Sequence, residues 1–369
     1  MDHILDQNLI GLGLMSKRIN QIEPFIDKSD ISSVTKYLNS GGWLTEHTET
    51  RTFENNIKNF TNRKYASTVP NGTIAIYVAL IALGIKKGDK VAVPNLTMIA
   101  TINAVIWLGA IPILIDTDDF LCMSYEKLKK IKGLDAVIFV PLNGRGGSGE
   151  AIERWCKKNN ILLIEDSAHA LSSNYKNKNC VKLGDISTLS FTPHKIITMG
   201  QGGMVLTDNK NIYKHIEALK SFNRSQDKSD FHKGFGLNFK ITDLQASIGN
   251  SQFKKIETFR NKKVKLSKTY KQYIPEEITM INFEEFETPW FIDLIFESKL
   301  KLNQAKKILE SNNIETRLCY PPLSKQKYLK KYSHNDLKNS ENLSDKILWM
   351  PSSVSLAQKD VKSIISLIS

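Results

Sequence analysis

No stretch of the 369-residue chain approaches the run of about 18 apolar residues that a membrane-spanning helix needs. The opening MDHILDQNLIG has neither a basic segment nor a continuous apolar stretch before a small-residue cleavage site. No secretory leader and no membrane partner are therefore expected, and the expected compartment is the cytoplasm. Cysteine is scarce: Cys122, Cys156, Cys180 and Cys319 are widely spaced and form no Cys-x-x-Cys pair, which argues against a disulfide framework or a zinc site, so no metal is expected. Two glycine motifs are incomplete. Gly11-Leu-Gly13 lacks a third glycine and follows no strand, so it is no dinucleotide fingerprint. Gly144-Arg-Gly-Gly-Ser-Gly149 lacks the Gly-Lys-Ser/Thr ending of a P-loop and reads as a strand-to-helix turn in which glycine accepts positive φ. The formal net charge is +13, yet the lysines are spread along the whole chain. No basic stretch is interleaved with stacking aromatics, so no nucleic-acid partner is expected.

What is present describes a globular protein, with 41% hydrophobic and 24% charged residues. The length exceeds what a single core usually reaches, so a large and a small domain are expected. Short β-branched runs recur at 91–94, 111–116, 136–140, 161–166, 188–191 and 204–207, most of them continuously apolar, as in strands buried on both faces. Helix-length stretches lie between them at 73–83, 98–108 and 150–158. This alternation predicts an α/β domain with a mostly parallel sheet, whose ligands sit beyond the carboxyl ends of the strands. A long lysine-rich helix is expected over 253–273, then strands at 281–286 and 290–296 in a smaller α+β C-terminal domain. The expected division is 1–45 as an arm and helix, 46–250 as the large domain and 251–369 as the small one.

Three segments carry candidate chemistry. In Ile161-Leu-Leu-Ile-Glu-Asp-Ser-Ala-His169 an apolar strand ends in an acid. Asp166 there either caps a following helix or pairs with a cationic ring nitrogen and keeps it protonated, which makes a pyridine ring an electron sink. In the segment from Thr188 to Thr207, Lys195 lies among apolar and small residues with a glycine-rich turn beyond it. It is either a solvated charge or an amine able to form a Schiff base, and Ser190 at the strand end could reach a phosphate. Asn71-Gly-Thr73 opens a helix, either as an ordinary cap or as a phosphate cradle at the positive end of the helix dipole. Together the three would make one site.

These residues, with Gly42-Trp-Leu-Thr45, Gly84-Ile-Lys-Lys-Gly-Asp89, Gly200-Gln-Gly-Gly203, Gly236-Leu-Asn-Phe239, Asp243-Leu-Gln-Ala246, Glu315-Thr-Arg317 and Tyr320-Pro-Pro-Leu323, resemble the DegT/StrS family of sugar aminotransferases over nearly the whole chain. The resemblance implies the aspartate-aminotransferase-like fold (pyridoxal-phosphate fold type I), a homodimer with shared sites, and pyridoxal 5′-phosphate as cofactor. Lys195 would hold the cofactor covalently and shuttle the proton, Asp166 would hold the pyridinium, and His169 would lie near the phenolic oxygen. Gly72, Thr73 and Ser190 would bind the phosphate together with Asn238 from the neighbouring subunit. Trp43, Arg317 and Tyr320 are the expected substrate contacts.

Within the family the resemblance is strongest to perosamine synthases, through Ile196-Ile-Thr-Met-Gly200 and Ile314-Glu-Thr-Arg317. That implies a GDP-linked 4-keto-6-deoxy sugar and glutamate as donor in a ping-pong cycle, feeding surface-polysaccharide (O-antigen, lipopolysaccharide) sugars. A UDP- or dTDP-linked 3- or 4-keto sugar is the nearest alternative. A dehydratase branch of the family replaces the lysine by histidine; here His194 precedes a lysine that stands at the aligned position. Two positions depart from the family pattern: Met98 stands where an aromatic ring usually stacks on the cofactor, and Ser324 where histidine often follows Tyr-Pro-x-Leu. Outside sugar transfer, Pro193-His-Lys195 also resembles cysteine desulfurases, with Cys319 as a persulfide carrier, and a non-catalytic sensor that binds the same cofactor is a third reading.

Overall fold

The computed structural model describes residues 18–225, 230–332 and 336–369, so Gly11-Leu-Gly13 and the start of the N-terminal arm lie outside the described residues. The apolar runs become a seven-stranded sheet made of β1 (Tyr65–Val69), β2 (Lys90–Pro94), β3 (Ile111–Ile115), β4 (Ala136–Phe139), β5 (Leu162–Asp166), β6 (Ile186–Ser190) and β7 (Gly203–Thr207). Its order is β1-β7-β6-β5-β4-β2-β3, parallel from β6 across to β3, with β7 antiparallel to both of its neighbours. Successive side chains leave a strand on opposite faces. Val91, Val93, Ile138 and Ile164 accordingly join one buried cluster, while Ala92, Val137, Phe139 and Leu163 join another. A strand apolar on both faces needs cover on both, and that is the arrangement in a mostly parallel α/β sheet.

Four helices precede or follow the first strands: α1 (Lys28–Asn39), α2 (Thr48–Thr61), α3 (Gly72–Ala82) and α4 (Ile99–Trp107). The helix α3 is apolar all round and mostly buried, as its sequence GTIAIYVALIA requires. It stops at Gly84, whose φ of +81° lets Gly84 N–H reach Ile81 O (2.9 Å) and Ile85 N–H reach Leu80 O (3.0 Å), the paired bonds of a Schellman end. The turn 144–149 contains positive φ at Gly144 and Gly147, as expected of a glycine-rich connection into the helix Gly149–Lys158.

The smaller sheet is antiparallel, in the order β10-β11-β9-β8, from β8 (Thr279–Met280), β9 (Ile292–Ile295), β10 (Arg317–Leu318) and β11 (Ile347–Met350). The helices Ile256–Tyr273, Lys299–Ser311 and Gln358–Ser366 cover it through Leu266, Tyr270, Leu302, Leu309 and Ile364. Two expectations are corrected here. The lysine-rich helix begins at Ile256, because Phe253 closes the preceding helix Asp243–Phe253 and Lys255 turns back to ion-pair with Asp27 (3.0 Å) and Asp30 (2.8 Å). Residues 281–286 form no strand, since Arg145 takes their carbonyls, those of Ile281 (3.0 Å) and Asn282 (3.2 Å), away from any ladder.

Arg145 also ties the two sheets together. Its guanidinium meets Asp293 of β9 at 2.6 Å with both side chains fully buried, and Asp293 further accepts from Asn143 Nδ2 and Trp349 Nε1, each at 2.6 Å. Removing one partner of such a pair strands the other charge in the core. Arg145→Met is expected to lower unfolding stability by about 3–5 kcal/mol, read from urea denaturation; a loss below about 1 kcal/mol, the scale of an exposed pair, would show the bridge to be dispensable.

Candidate active site

The carboxyl ends of β2, β4, β5 and β6 and the start of antiparallel β7 all lie at one edge of the large sheet, and a cleft of about 430 Å³ opens there. At one end the Asn71 side chain caps α3 by accepting from Ile74 N–H (3.0 Å), so the cap reading is correct. Gly72 and Thr73, whose amides are first-turn donors with no acceptor inside the helix, line the cleft. Packing at this corner leaves no room for side chains. A Cβ on Gly72 would stand 3.0 Å from Ser190 Cβ, and one on Gly203 only 2.4 Å from Asn71 O. A helix N-terminus and the Ser190 hydroxyl at this corner make it suited to an anion such as a phosphate.

Asp166 closes the other end. No helix follows it directly, so it is not a cap: β5 delivers its carboxylate, 5% exposed, into the cleft, and Thr101 of α4 donates to Oδ2 at 2.9 Å. Burial pushes its pKa above the usual carboxylate range, against the Thr101 hydrogen bond and the Lys195 charge. A buried acid of this kind gains most from a cationic partner, which is what a protonated ring nitrogen supplies. Lys195, on the loop between β6 and β7, also lines the cleft. Withdrawal of its amine from solvent lowers its pKa to about 7; Asp166 resists the shift and Arg317 adds to it. His169 is buried, and its pKa lies well below the ordinary value because burial, Lys195 and Arg317 all disfavour a charged ring. Its Nδ1 accepts from Asn143 N–H (3.4 Å), which leaves the proton on Nε2.

Of the residues singled out in the sequence, Gly72, Thr73, Met98, Asp166, His169, Ser190 and Lys195 line this one cleft. Arg317 and Tyr320 line a second groove of about 400 Å³, whose Tyr320 ring lies 6.4 Å from that of His169. Trp43 and Asn238 are not among the residues lining the cleft; both are exposed, on loops bridged to other segments at Thr45–Thr242 and Ser221–Asn238. Ser324 does not line the cleft either. It is buried between Asn95, whose Nδ2 donates to it at 3.1 Å, and Glu341, which accepts from its hydroxyl at 2.5 Å. Cys319 is buried and its thiol is pushed far up by burial, a poor setting for a persulfide carrier.

Two residues of this neighbourhood were not legible beforehand. Thr101 stands one turn after Met98, and only the contact with Asp166 reveals it. Trp290, just before β9, stacks on the His169 ring with centroids 3.7 Å apart and lies 4.2 Å from Lys195 Nζ. A lone tryptophan after Glu-Thr-Pro carries no signal for that.

The DegT/DnrJ/EryC1/StrS aminotransferase family matches residues 24–369. A GDP-perosamine synthase of Escherichia coli O157:H7 is 32% identical over 355 residues, spanning 94% of this chain and 93% of that protein. One from Vibrio cholerae is 29% identical over 357 residues, spanning 93% and 96%. Among solved structures, Helicobacter pylori PseC, an aminotransferase involved in the biosynthesis of pseudoaminic acid, shares the fold with a TM-score of 0.90 at 22% identity, over 95% of this chain and 98% of that one. The chain belongs to the DegT/DnrJ/EryC1/StrS family and is a sugar aminotransferase that works with pyridoxal 5′-phosphate.

Proposed function

We propose that this enzyme moves an amino group from glutamate to the keto carbon of a GDP-linked 4-keto-6-deoxy sugar by a ping-pong cycle, in the cytoplasm, on the way to surface-polysaccharide sugars. The observation that carries the sugar assignment is the likeness to GDP-perosamine synthases along 93–94% of the chain. When bound, pyridoxal phosphate supplies the carbonyl that receives the amine and the ring that withdraws electrons from the bond being broken.

The residues divide that work by position. Gly72, Thr73 and Ser190 would hold the phosphate at the start of α3, and Asp166 would keep the ring nitrogen protonated. His169, with its proton on Nε2, would donate to the phenolic oxygen. Met98 would pack against the ring. Lys195 would hold the cofactor, and its amine, with a pKa of about 7, is suited to take up and return a proton at Nζ. Arg317 and Tyr320 contact the nucleotide sugar.

The enzyme acts as a homodimer in which the partner subunit's Asn238 completes the phosphate site and Trp43 reaches the substrate across the interface. Exposed large side chains on the loops that carry these residues support this: Trp43 is 70% exposed, Phe231 77% and Phe235 70%.

Two measurements test the reading. Lys195→Ala should abolish the visible absorbance of the bound cofactor and cut amino transfer from glutamate by about a thousandfold; near-normal turnover refutes the assignment, and a screen of GDP-, UDP- and dTDP-linked keto sugars identifies the acceptor. In cofactor-free protein, cofactor attachment should quicken as pH rises through about 7 and then level off, since the neutral amine is the nucleophile. A rate still climbing towards the ordinary lysine range, near pH ~10, would show that Lys195 is not desolvated.

A further inference from the structure

Trp290 has no solvent-facing polar atom left to satisfy, and each of its three is used by a different part of the chain. Its backbone N–H donates to Asn143 O (3.0 Å), its carbonyl accepts from Lys263 Nζ (2.6 Å), and its indole N–H donates to His194 O (2.7 Å). Trp290 is 5% exposed, and its ring stacks with those of Phe291 and His169, each with centroids 3.7 Å apart. Lys195 Nζ lies 4.2 Å from the ring centroid. Trp290 therefore grips the lysine-bearing loop at the backbone of His194 and borders the amine of Lys195.

Lys263 holds Trp290 in turn. It lies on the helix Ile256–Tyr273, is 3% exposed, and spends its donors on the carbonyls of Trp290 and Ser352. No carboxylate pairs with it among the described residues. A buried amine with two carbonyl acceptors and no counter-ion is costly to keep, since burial disfavours its charged form. Ordinary packing would be served as well by methionine.

We propose that Trp290 is a positioning residue that fixes the Lys195 amine for reaction with the cofactor, and that Lys263 is the latch by which the small-domain helix keeps Trp290 in place. This rests on Lys195 as the cofactor-bearing residue, as proposed above, so that point is checked separately: borohydride reduction of the wild-type holoenzyme followed by peptide mass analysis should tag Lys195, and a tag on another lysine overturns the underlying reading itself.

The inference is tested in cofactor-free protein by mixing with pyridoxal phosphate and by amide hydrogen exchange of the segment 192–199. Trp290→Phe keeps a ring but removes the indole donor. Attachment should slow by about tenfold, the factor that one buried hydrogen bond commands, and exchange in 192–199 should rise while the strands β4 and β5 stay protected. Attachment within about twofold of wild type together with unchanged exchange in that segment overturns the positioning role, because so small a change is less than the loss of one such bond produces. Lys263→Met keeps the length of the side chain and removes its donors, and it should shift both readouts in the same direction. If it moves neither, the latch is overturned; it also keeps the idea testable should Trp290→Phe fail to fold.

Discussion

The contact between Arg145 and Asp293 is the constraint from which the rest of the molecule takes its shape. A guanidinium and a carboxylate at zero exposure are tolerated only when every remaining donor and acceptor is matched. Here the matching groups come from the turn after β4 and from the small sheet and the segment beside it: the carbonyls of Ile281 and Asn282 on the arginine, and the Asn143 amide and Trp349 indole on the aspartate. Meeting that requirement fixes the turn after β4 against β9. The same turn presents Asn143 O to Trp290 and Asn143 N–H to His169. The wall of the cleft is thus set by the joint between the turn after β4 and the small sheet.

Within the cleft a single cause acts in opposite senses. Withdrawal from water lowers Lys195 and His169 and raises Asp166, because each neutral form is the cheaper one to bury. What separates the three is their nearest partner. Thr101 and Lys195 favour the charged Asp166, whereas the charges that act on His169, those of Lys195 and Arg317, are positive. An amine, an imidazole and a carboxylate, each with its ionisation moved by the same burial, therefore stand side by side without any group of unusual chemistry.

The strands that were legible in the sequence are those whose burial on both faces left continuous apolar runs. The strand β1 was not, because Ser67 and Thr68 interrupt its pattern; both are buried, and their hydroxyls are spent on Glu217 and Glu54. Residues 281–286 show the reverse case, a strand-like pattern whose carbonyls are diverted to a side chain distant in sequence. The glycines and the acid at the strand ends were readable because backbone geometry dictates residue type there. Thr101, Trp290 and Lys263 were hidden because their meaning lies in contacts across many tens of residues. The inward turn of Ser324 towards Asn95 and Glu341 likewise follows from how that loop docks on the end of β2, which no local pattern encodes.

Because β7 runs against β6, the loop bearing Lys195 leaves and re-enters the sheet at the same edge, and its two ends are stitched together where Ser190 faces Gly203. Lys195 rides on a closed flap whose footing is independent of what the flap carries. A scaffold of this kind separates the part that sets the sheet from the part that faces the cleft, so a side-chain exchange on the flap leaves the register of every strand beneath it as it was.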